Sequence, residues 1–330
     1  MLRKVALRNV GFPRESGVPE QRRPRPEDGE NRLGFFRPWT VERKTRRAFA
    51  LTAHHADPSD FAFVDHASKL YSFPGFTIED VMLDDRRGEF VPCEECLWRR
   101  ANMFKPMDAG DIAALKAFKK DHIYVPAGRT LIRRDTKPAV FYTLYDGWAF
   151  QYMTVNAGRQ ITRFCLPGDV VALQVPLYGR APYNVQTLTD ASLCVFEADR
   201  IEELFQAHPR LGYELTRIVA TEAALADMHL ATIGRRNAEA RVAYLLCELH
   251  TRLKHRRMAR ENGCVLPLTQ EHIADALGLS TVHVSRMLKS IHDDGLARFD
   301  RGQLTIHDFA GLCTRAEINS ELDIPKPSLF

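Results

Sequence analysis

The sequence predicts an α+β chain: an antiparallel β roll or barrel, then a long helix, then a C-terminal winged helix-turn-helix. Three observations carry that expectation. Short strand-like runs separated by turn signals fill residues 120–199. From residue 201 the apolar period switches to that of a helix. Finally, "LTQEHIADALGLSTVHVSRMLKSIHDDGLARFDRGQLTIHD" has the caps, tight turn and inward apolar residues of a helix-turn-helix, with a hairpin after it.

Residues 1–85 read differently. "RESGVPEQRRPRPEDGENR" is rich in Arg, Glu, Pro and Gly, has no apolar period, and is expected to be disordered. Two readings stay open for it. Translation starts further in, at Met82, so that residues 1–81 are never made, or the segment is a regulatory arm. The first residues are basic but lack the apolar core of a secretory signal. No apolar run reaches membrane-spanning length. A cytoplasmic protein with no membrane partner is expected. The net charge of +4 permits a nucleic-acid partner without requiring one. At 330 residues the chain is long enough for two cores.

The seven cysteines are an odd and scattered set, not a disulfide framework, and fit a reducing compartment. Cys93 and Cys96, in "VPCEECLWRR", stand apart from the rest. The C-x-x-C spacing lets two thiolates grip one metal ion or close a redox disulfide.

The strands come next. "HIYVPAGRTLIRR" breaks at Pro126–Gly128, and "AVFYTLYDGWAFQYMT" turns at Asp146-Gly147. "NAGRQITRFCLPGDVVAL" turns at Gly158 and at Pro167-Gly168-Asp169, and "NVQTLTDASLCVFEAD" closes the set. A cupin-like enzyme on such a roll needs a His/carboxylate metal cluster inside it. Residues 123–199 contain no histidine, so no enzyme is expected.

In the long helix, Leu211, Leu215, Ile218, Glu222, Leu225, His229 and Thr232 form a seven-residue seam interrupted at Glu222 and His229. That is a coiled-coil pairing helix for a homodimer, or an amphipathic helix lying on its own roll. The domain plan is therefore a roll over 86–210, a dimerisation helix over 211–236 and the DNA-binding part over 237–330. Asn237 caps a further helix whose apolar face holds Val242, Leu245, Leu246 and Leu249. Its end carries Arg252, Lys254, Arg256, Arg257 and Arg260. Cations suit a helix C-terminus, can touch phosphates, and by default form a solvated face.

Thr269 is placed to cap the first helix of the helix-turn-helix, with Glu271 in its first turn and Ile273 and Leu277 buried. Ala274 is small where the second helix approaches, and Gly278 supplies the turn. Ser280 or Thr281 caps the second helix, with Val284, Met287 (or Leu288) and Ile291 inward. A hairpin at Arg301-Gly302 would be the wing. The start of the second helix is expected to enter the major groove of double-stranded DNA and present Ser280, Thr281, Val282, Ser285 and Arg286. Arg286 can bond guanine O6 and N7 together. Ser280, Thr281 and Ser285 suit phosphates or base edges, and His283 and Lys289 neighbour phosphates.

With "GRRNAEARVAYLLCEL" between them, roll and helix-turn-helix resemble the Crp/Fnr family of bacterial transcription regulators over residues 90–310. The resemblance implies a cyclic-nucleotide-binding-like β-roll (a double-stranded β-helix) that senses a signal, and a helix that pairs two subunits. It also implies two recognition helices on a palindromic promoter site, with RNA polymerase as a further partner. The family's recognition helix reads Glu, two residues, then Ser-Arg or Gly-Arg. Ser285-Arg286 is kept, but Val282 stands at the Glu position. Valine can only touch a thymine methyl, so the family's half-site does not carry over.

Relatives that bind cAMP have Gly-Glu after the "GD" turn and then Arg-Ser. Here Ala172 and Leu173 take the first pair and the second is missing, with Arg180 the nearest cation. No cAMP binding is expected. The oxygen-sensing branch holds an iron–sulfur cluster on thiolates. Cys93 and Cys96 resemble its C-x-x-C, and Cys194 sits where its roll cysteine sits. The third N-terminal cysteine is absent, with Asn102 or Phe104 in its place, and Cys165 is a conceivable substitute for the unknown fourth ligand. A cluster with an unusual ligand, a thiol redox switch, and no sensor chemistry all remain open. The rival to a regulator is a signal-binding adaptor that has lost DNA binding; Ser285-Arg286 and the wing argue against it.

Overall fold

A computed structural model describes residues 72–73, 76–77, 91–96, 107–156 and 158–318. The expectations for residues 1–85, including a start at Met82, fall outside the described residues, apart from a two-residue strand pair, Ser72–Phe73 with Phe76–Thr77. Asn102 and Phe104 also lie outside them.

The roll opens with α1 (Ala109–Phe118), whose start is fixed by the Asp108 carboxylate accepting from the Asp111 amide at 2.7 Å. Eight strands follow: β1 (Lys119–Val125), β2 (Thr130–Ile132), β3 (Val140–Asp146), β4 (Ala149–Val155), β5 (Gly158–Cys165), β6 (Val170–Val171), β7 (Asn184–Thr187) and β8 (Ala191–Glu197). They form two antiparallel sheets in the orders β1-β8-β3-β6 and β2-β7-β4-β5. Alternation puts Leu144, Ala149, Val185 and Leu193 fully inside. The turns read from sequence lie between these strands. At Gly147, φ is +81° and a β-carbon would sit 2.1 Å from the Asp190 carbonyl oxygen, so only glycine fits. A short helix, α2 (Gln174–Tyr178), lies between β6 and β7.

After α3 (Ile201–Ala207) comes the long helix α4 (Pro209–Arg235), entered through Pro209 in its first turn. The seven-residue seam does not face outward along its first half. Leu211, Leu215 and Ile218 are buried in the core of the chain's own roll. The exposed face is instead Tyr213, Thr216, Ala220, Ala223, Asp227, Leu230 and Gly234. A heptad alone does not distinguish pairing with a second helix from packing on a roll, because either neighbour needs one apolar stripe.

Helix α5 (Ala238–His255) is capped by Asn237, whose side chain accepts from the Ala240 amide at 2.9 Å. It is buried almost all round. On one side it meets Trp148, Phe150, Ile161, Phe164 and Leu166 from the roll, and on the other the helix-turn-helix, in a single hydrophobic cluster. The basic run at its end is therefore only partly a solvated face. Arg257 and Arg260 are exposed, but Arg252 and Arg256 are 1% and 0% exposed.

Two short strands, β9 (Ala259–Arg260) and β10 (Gly263–Val265), precede α6 (Gln270–Leu277) and α7 (Thr281–Asp293). The hairpin β11 (Ala297–Asp300) and β12 (Gln303–Ile306) joins them in a sheet of order β9-β10-β12-β11. At two and three residues, β9 and β10 are too short to show a period, so sequence reading found only the hairpin. Helix α8 (Phe309–Arg315) packs against α5 and ends the described chain.

Candidate functional site

The start of α7 is built by caps. Thr269 accepts from the His272 amide at 3.2 Å while His272 Nδ1 accepts from the Thr269 amide at 3.1 Å, a capping box with histidine in the reciprocal place. Gly278 ends α6 at φ +64°, the left-handed turn expected of it. Ser280, not Thr281, caps α7, its hydroxyl accepting from the His283 amide at 3.3 Å. Val284, Leu288 and Ile291 are buried, whereas Met287 is only half-buried at the edge of the core. The inward position is thus Leu288, because the i, i+4, i+7 stripe runs through it and leaves Met287 to one side.

Ser280, Thr281, Val282, His283, Ser285, Arg286 and Lys289 are all exposed. Val282 is 64% exposed, an apolar side chain with nothing of its own chain to cover it. The wing turns at Arg301-Gly302 with φ of +47° and +78°, both positive as a tight two-residue hairpin turn requires. Arg298, which pairs with Asp300 at 3.1 Å, and Arg301 are exposed on it. Helix start, Arg286, Lys289 and wing together offer donors and positive charge suited to phosphates and base edges.

Of the three cysteines singled out from the sequence, Cys194 lies on β8 and the other two precede α1. Cys93 opens a 3-10 turn, Cys93–Glu95, which Glu94 ties to Lys116 of α1 at 2.9 Å. Cys93, Cys96 and Cys194 are each half-buried. Cys194 Sγ is 3.7 Å from His122 Nδ1, and Lys119, whose ammonium donates to the Val91 carbonyl, is close enough to favour its thiolate. Burial pushes the Cys194 thiol up to about 12; Lys119 opposes this, and the nearby Cys96 and Cys93 reinforce it. The three cysteines are neighbours. Even so, the described residues do not fit a cluster: no three His, Cys, Asp or Glu among them are grouped to hold a metal ion. Cys165 is buried, and burial pushes its thiol up to about 12, Asp169 and Glu222 reinforcing this and Arg163 opposing it.

Where a nucleotide's ribose and phosphate would be gripped, Ala172 holds φ +66° and Leu173 is 1% exposed inside the core. Arg180 is on the surface, 3.8 Å from Asp135.

An ionic network joins roll, α4 and α5. Asp169, in the Pro167-Gly168-Asp169 turn, takes Arg252 Nη2 at 2.9 Å, Arg163 Nη2 at 3.3 Å and Arg256 Nη2. Arg252 also donates to the Phe164 carbonyl at 2.9 Å, and Arg256 to the Pro167 carbonyl at 2.8 Å. Glu248 pairs with Arg252 at 3.1 Å, and Glu222 of α4 with Arg163 at 2.6 Å. Burial alone would raise the Asp169 carboxyl, but Arg256, Arg163 and Arg252 outweigh it and hold it at about 2. Burial favours the neutral form of Glu222, against Arg163.

Two family models match this architecture: the cyclic nucleotide-binding domain over residues 122–208 and the Crp-like helix-turn-helix domain over residues 240–315. The chain belongs to the Crp/Fnr family. The transcriptional activator protein FnrL of Cereibacter sphaeroides is 29% identical over 238 residues, covering 71% of this chain and 95% of its own. The nitrogen fixation regulation protein FixK of Bradyrhizobium diazoefficiens is 25% identical over 229 residues, covering 69% and 94%. Among solved structures, FixK2 from Bradyrhizobium japonicum is 26% identical with a TM-score of 0.54, over 58% of this chain and 95% of that one.

Sequence reading of this Crp/Fnr chain missed the network and a second roll contact. Arg159, on the β4–β5 hairpin, reaches Glu271 of α6 at 3.3 Å and also pairs with Asp275, while Gln160 donates to the Ala276 carbonyl at 2.9 Å. One signal for the network was present. Leu245, Leu249, Arg252 and Arg256 are spaced four, three and four apart, so both arginines continue the apolar stripe of α5.

Proposed function

We propose that this Crp/Fnr transcription regulator binds a palindromic promoter site in double-stranded DNA as a homodimer, reading bases with the start of α7. The observation that carries this is the exposed set around Ser285-Arg286, flanked by a cationic wing and backed by Val284, Leu288 and Ile291. The regulator works in the cytoplasm, has no catalytic activity, and contacts RNA polymerase. Its working parts are a roll over 86–210, a pairing helix over 211–236 and a DNA-binding part over 237–330. Among the described residues no helix is long and apolar enough to cross a membrane. The pairing face is the exposed stripe of α4, where Ala220 and Ala223, between Tyr213 and Leu230, and Gly234 beyond them let a second helix approach closely. Two-fold symmetry then places half-sites about 34–36 Å apart, one turn of DNA.

The roll does not take cAMP in this reading, since Leu173 offers no carboxylate and no Arg-Ser pair follows it in "YGRAPYNVQ". Cys93, Cys96 and Cys194 support thiol redox chemistry rather than an iron–sulfur cluster in this reading, because no three metal-ligating side chains are grouped among the described residues. Selection of bound DNA from a random pool tests the main reading. A two-fold symmetric consensus whose binding falls steeply with salt is expected. Recovery of no consensus, or binding indifferent to salt, would support the adaptor instead. Anaerobic purification with metal analysis tests the second: bound iron would overturn it.

A further inference from the structure

The first helix of the helix-turn-helix, α6, is joined to the β4–β5 hairpin of the roll by three side chains. Arg159 pairs with Asp275 at 2.5 Å and with Glu271 at 3.3 Å. Gln160 donates to the Ala276 carbonyl at 2.9 Å. His272 lays its ring against Phe150 of β4, with centroids 5.7 Å apart. The Arg159 guanidinium lies over the same Phe150 ring, 5.4 Å from its centroid. Phe150 therefore touches both an imidazole and a guanidinium.

Of these groups, only His272 can change its charge near neutral pH. Its Nδ1 accepts from the Thr269 amide at 3.1 Å and so closes the capping box that opens α6. That bond needs a bare Nδ1, so the ring proton sits on Nε2. A second proton turns Nδ1 into a donor facing another donor. The one acceptor beside it is Thr269 Oγ1 at 3.1 Å, which already accepts from the His272 amide at 3.2 Å. The new charge is also poorly placed. The charged groups facing the half-buried ring are Arg159 from the roll and Glu271 and Asp275 from α6. Both carboxylates favour the imidazolium but are already engaged by Arg159. Burial first, and Arg159 second, hold His272 below its ordinary value of 6.5 against the pull of the carboxylates.

We propose that His272 is a proton-operated catch between the roll and the helix-turn-helix. Neutral, it closes the cap of α6 against Phe150. Protonated, it opens the cap and loosens α6 from the roll. The catch is fully closed above the ordinary value of 6.5, and it is lost as pH falls through the lower folded value. With the catch closed, α6 packs on α7 and the start of α7 is exposed. Acid therefore weakens sequence-specific DNA binding. That consequence rests on the proposed reading of DNA by α7; the catch itself does not.

Two measurements on the full chain test this. The first is a nuclear magnetic resonance titration of the His272 imidazole together with hydrogen exchange at the Thr269 amide. His272 is expected to titrate below 6.5, with faster Thr269 exchange in its protonated form. Arg159→Gln removes the facing cation and should move that titration upward. The second is affinity for a selected DNA site at about pH 7.5 and about pH 5.5. Wild type should lose about three- to tenfold more affinity in acid than His272→Gln, in which an amide oxygen fills the capping box and takes no proton. His283 and His292 are common to both proteins, so their titration cancels in the comparison. Should His272→Gln fail to fold, Arg159→Gln decides, because its acid loss is expected at higher pH than in wild type. Thr269 exchange that ignores the titration of His272, or a titration at or above 6.5, would overturn the catch. Equal acid loss in wild type and His272→Gln would overturn its effect on DNA. Absence of sequence-specific binding at both pH values, with the titration as expected, would overturn the regulator reading and leave the catch standing.

Discussion

Two helical segments of this chain carry arginine among apolar residues and use it in opposite ways. α7 turns Arg286 and Lys289 outward from a buried stripe of Val284, Leu288 and Ile291. α5 turns Arg252 and Arg256 inward, onto Asp169 of the roll. Cationic character is the same in both; register against the apolar stripe is what differs. An arginine out of phase with that stripe is available to DNA, and one in phase needs a buried carboxylate.

The largest effect should come from removing that carboxylate. Asp169→Ala leaves Arg252 and Arg256 buried with too little negative charge, and should cost about 3–5 kcal/mol in denaturant unfolding. A loss below about 1 kcal/mol would mean that water reaches the network and the contrast with α7 is false. The same carboxyl predicts a pH dependence. Its folded pKa of about 2 is depressed below the ordinary value near 4, so its stabilisation is complete above the unfolded pKa. It is lost as pH falls through that window toward 2, and Asp169→Asn should flatten this acid limb in thermal melts.

Next in size is Arg286→Ala, which should weaken specific DNA binding by about 1–3 kcal/mol and relax one base preference. Its unfolding free energy should stay within about 0.5 kcal/mol of the parent, because the side chain is exposed. Equal affinity for all sequences before and after the change would sink the assignment. Ser280→Ala removes the cap of α7 and should cost about 1 kcal/mol of stability. Smallest is Arg159→Ala. Its pairs with Glu271 and Asp275 are partly exposed, and the loss should stay at or below about 1 kcal/mol.

The same contrast explains what could be read in advance. The exposed set on α7 was legible because caps, glycine and a 3.6-residue period are local, and the choices between Ser280 and Thr281 as cap and between Met287 and Leu288 needed the fold. The roll was legible through its turns, at Gly128, Gly147 and Gly168, all with positive φ. Asp169 and Arg252 are 83 residues apart, and no period links them. The seam of α4 was visible, but which neighbour covers it was not. Cys93, Cys96 and Cys194 were grouped by spacing and resemblance, while Lys119 near Cys194 gave no sign, since a single lysine at a strand start is commonplace.

The burial of α5 bears on how this protein can be taken apart. Its sequence matches the helix-turn-helix model, yet its far face completes the outer surface of the roll through Trp148, Phe164 and Leu166. A chimera that exchanges recognition modules should therefore be spliced after residue 256, keeping α5 with its native roll. A cut at Asn237 would strip the roll of its cover and carry two buried arginines into water.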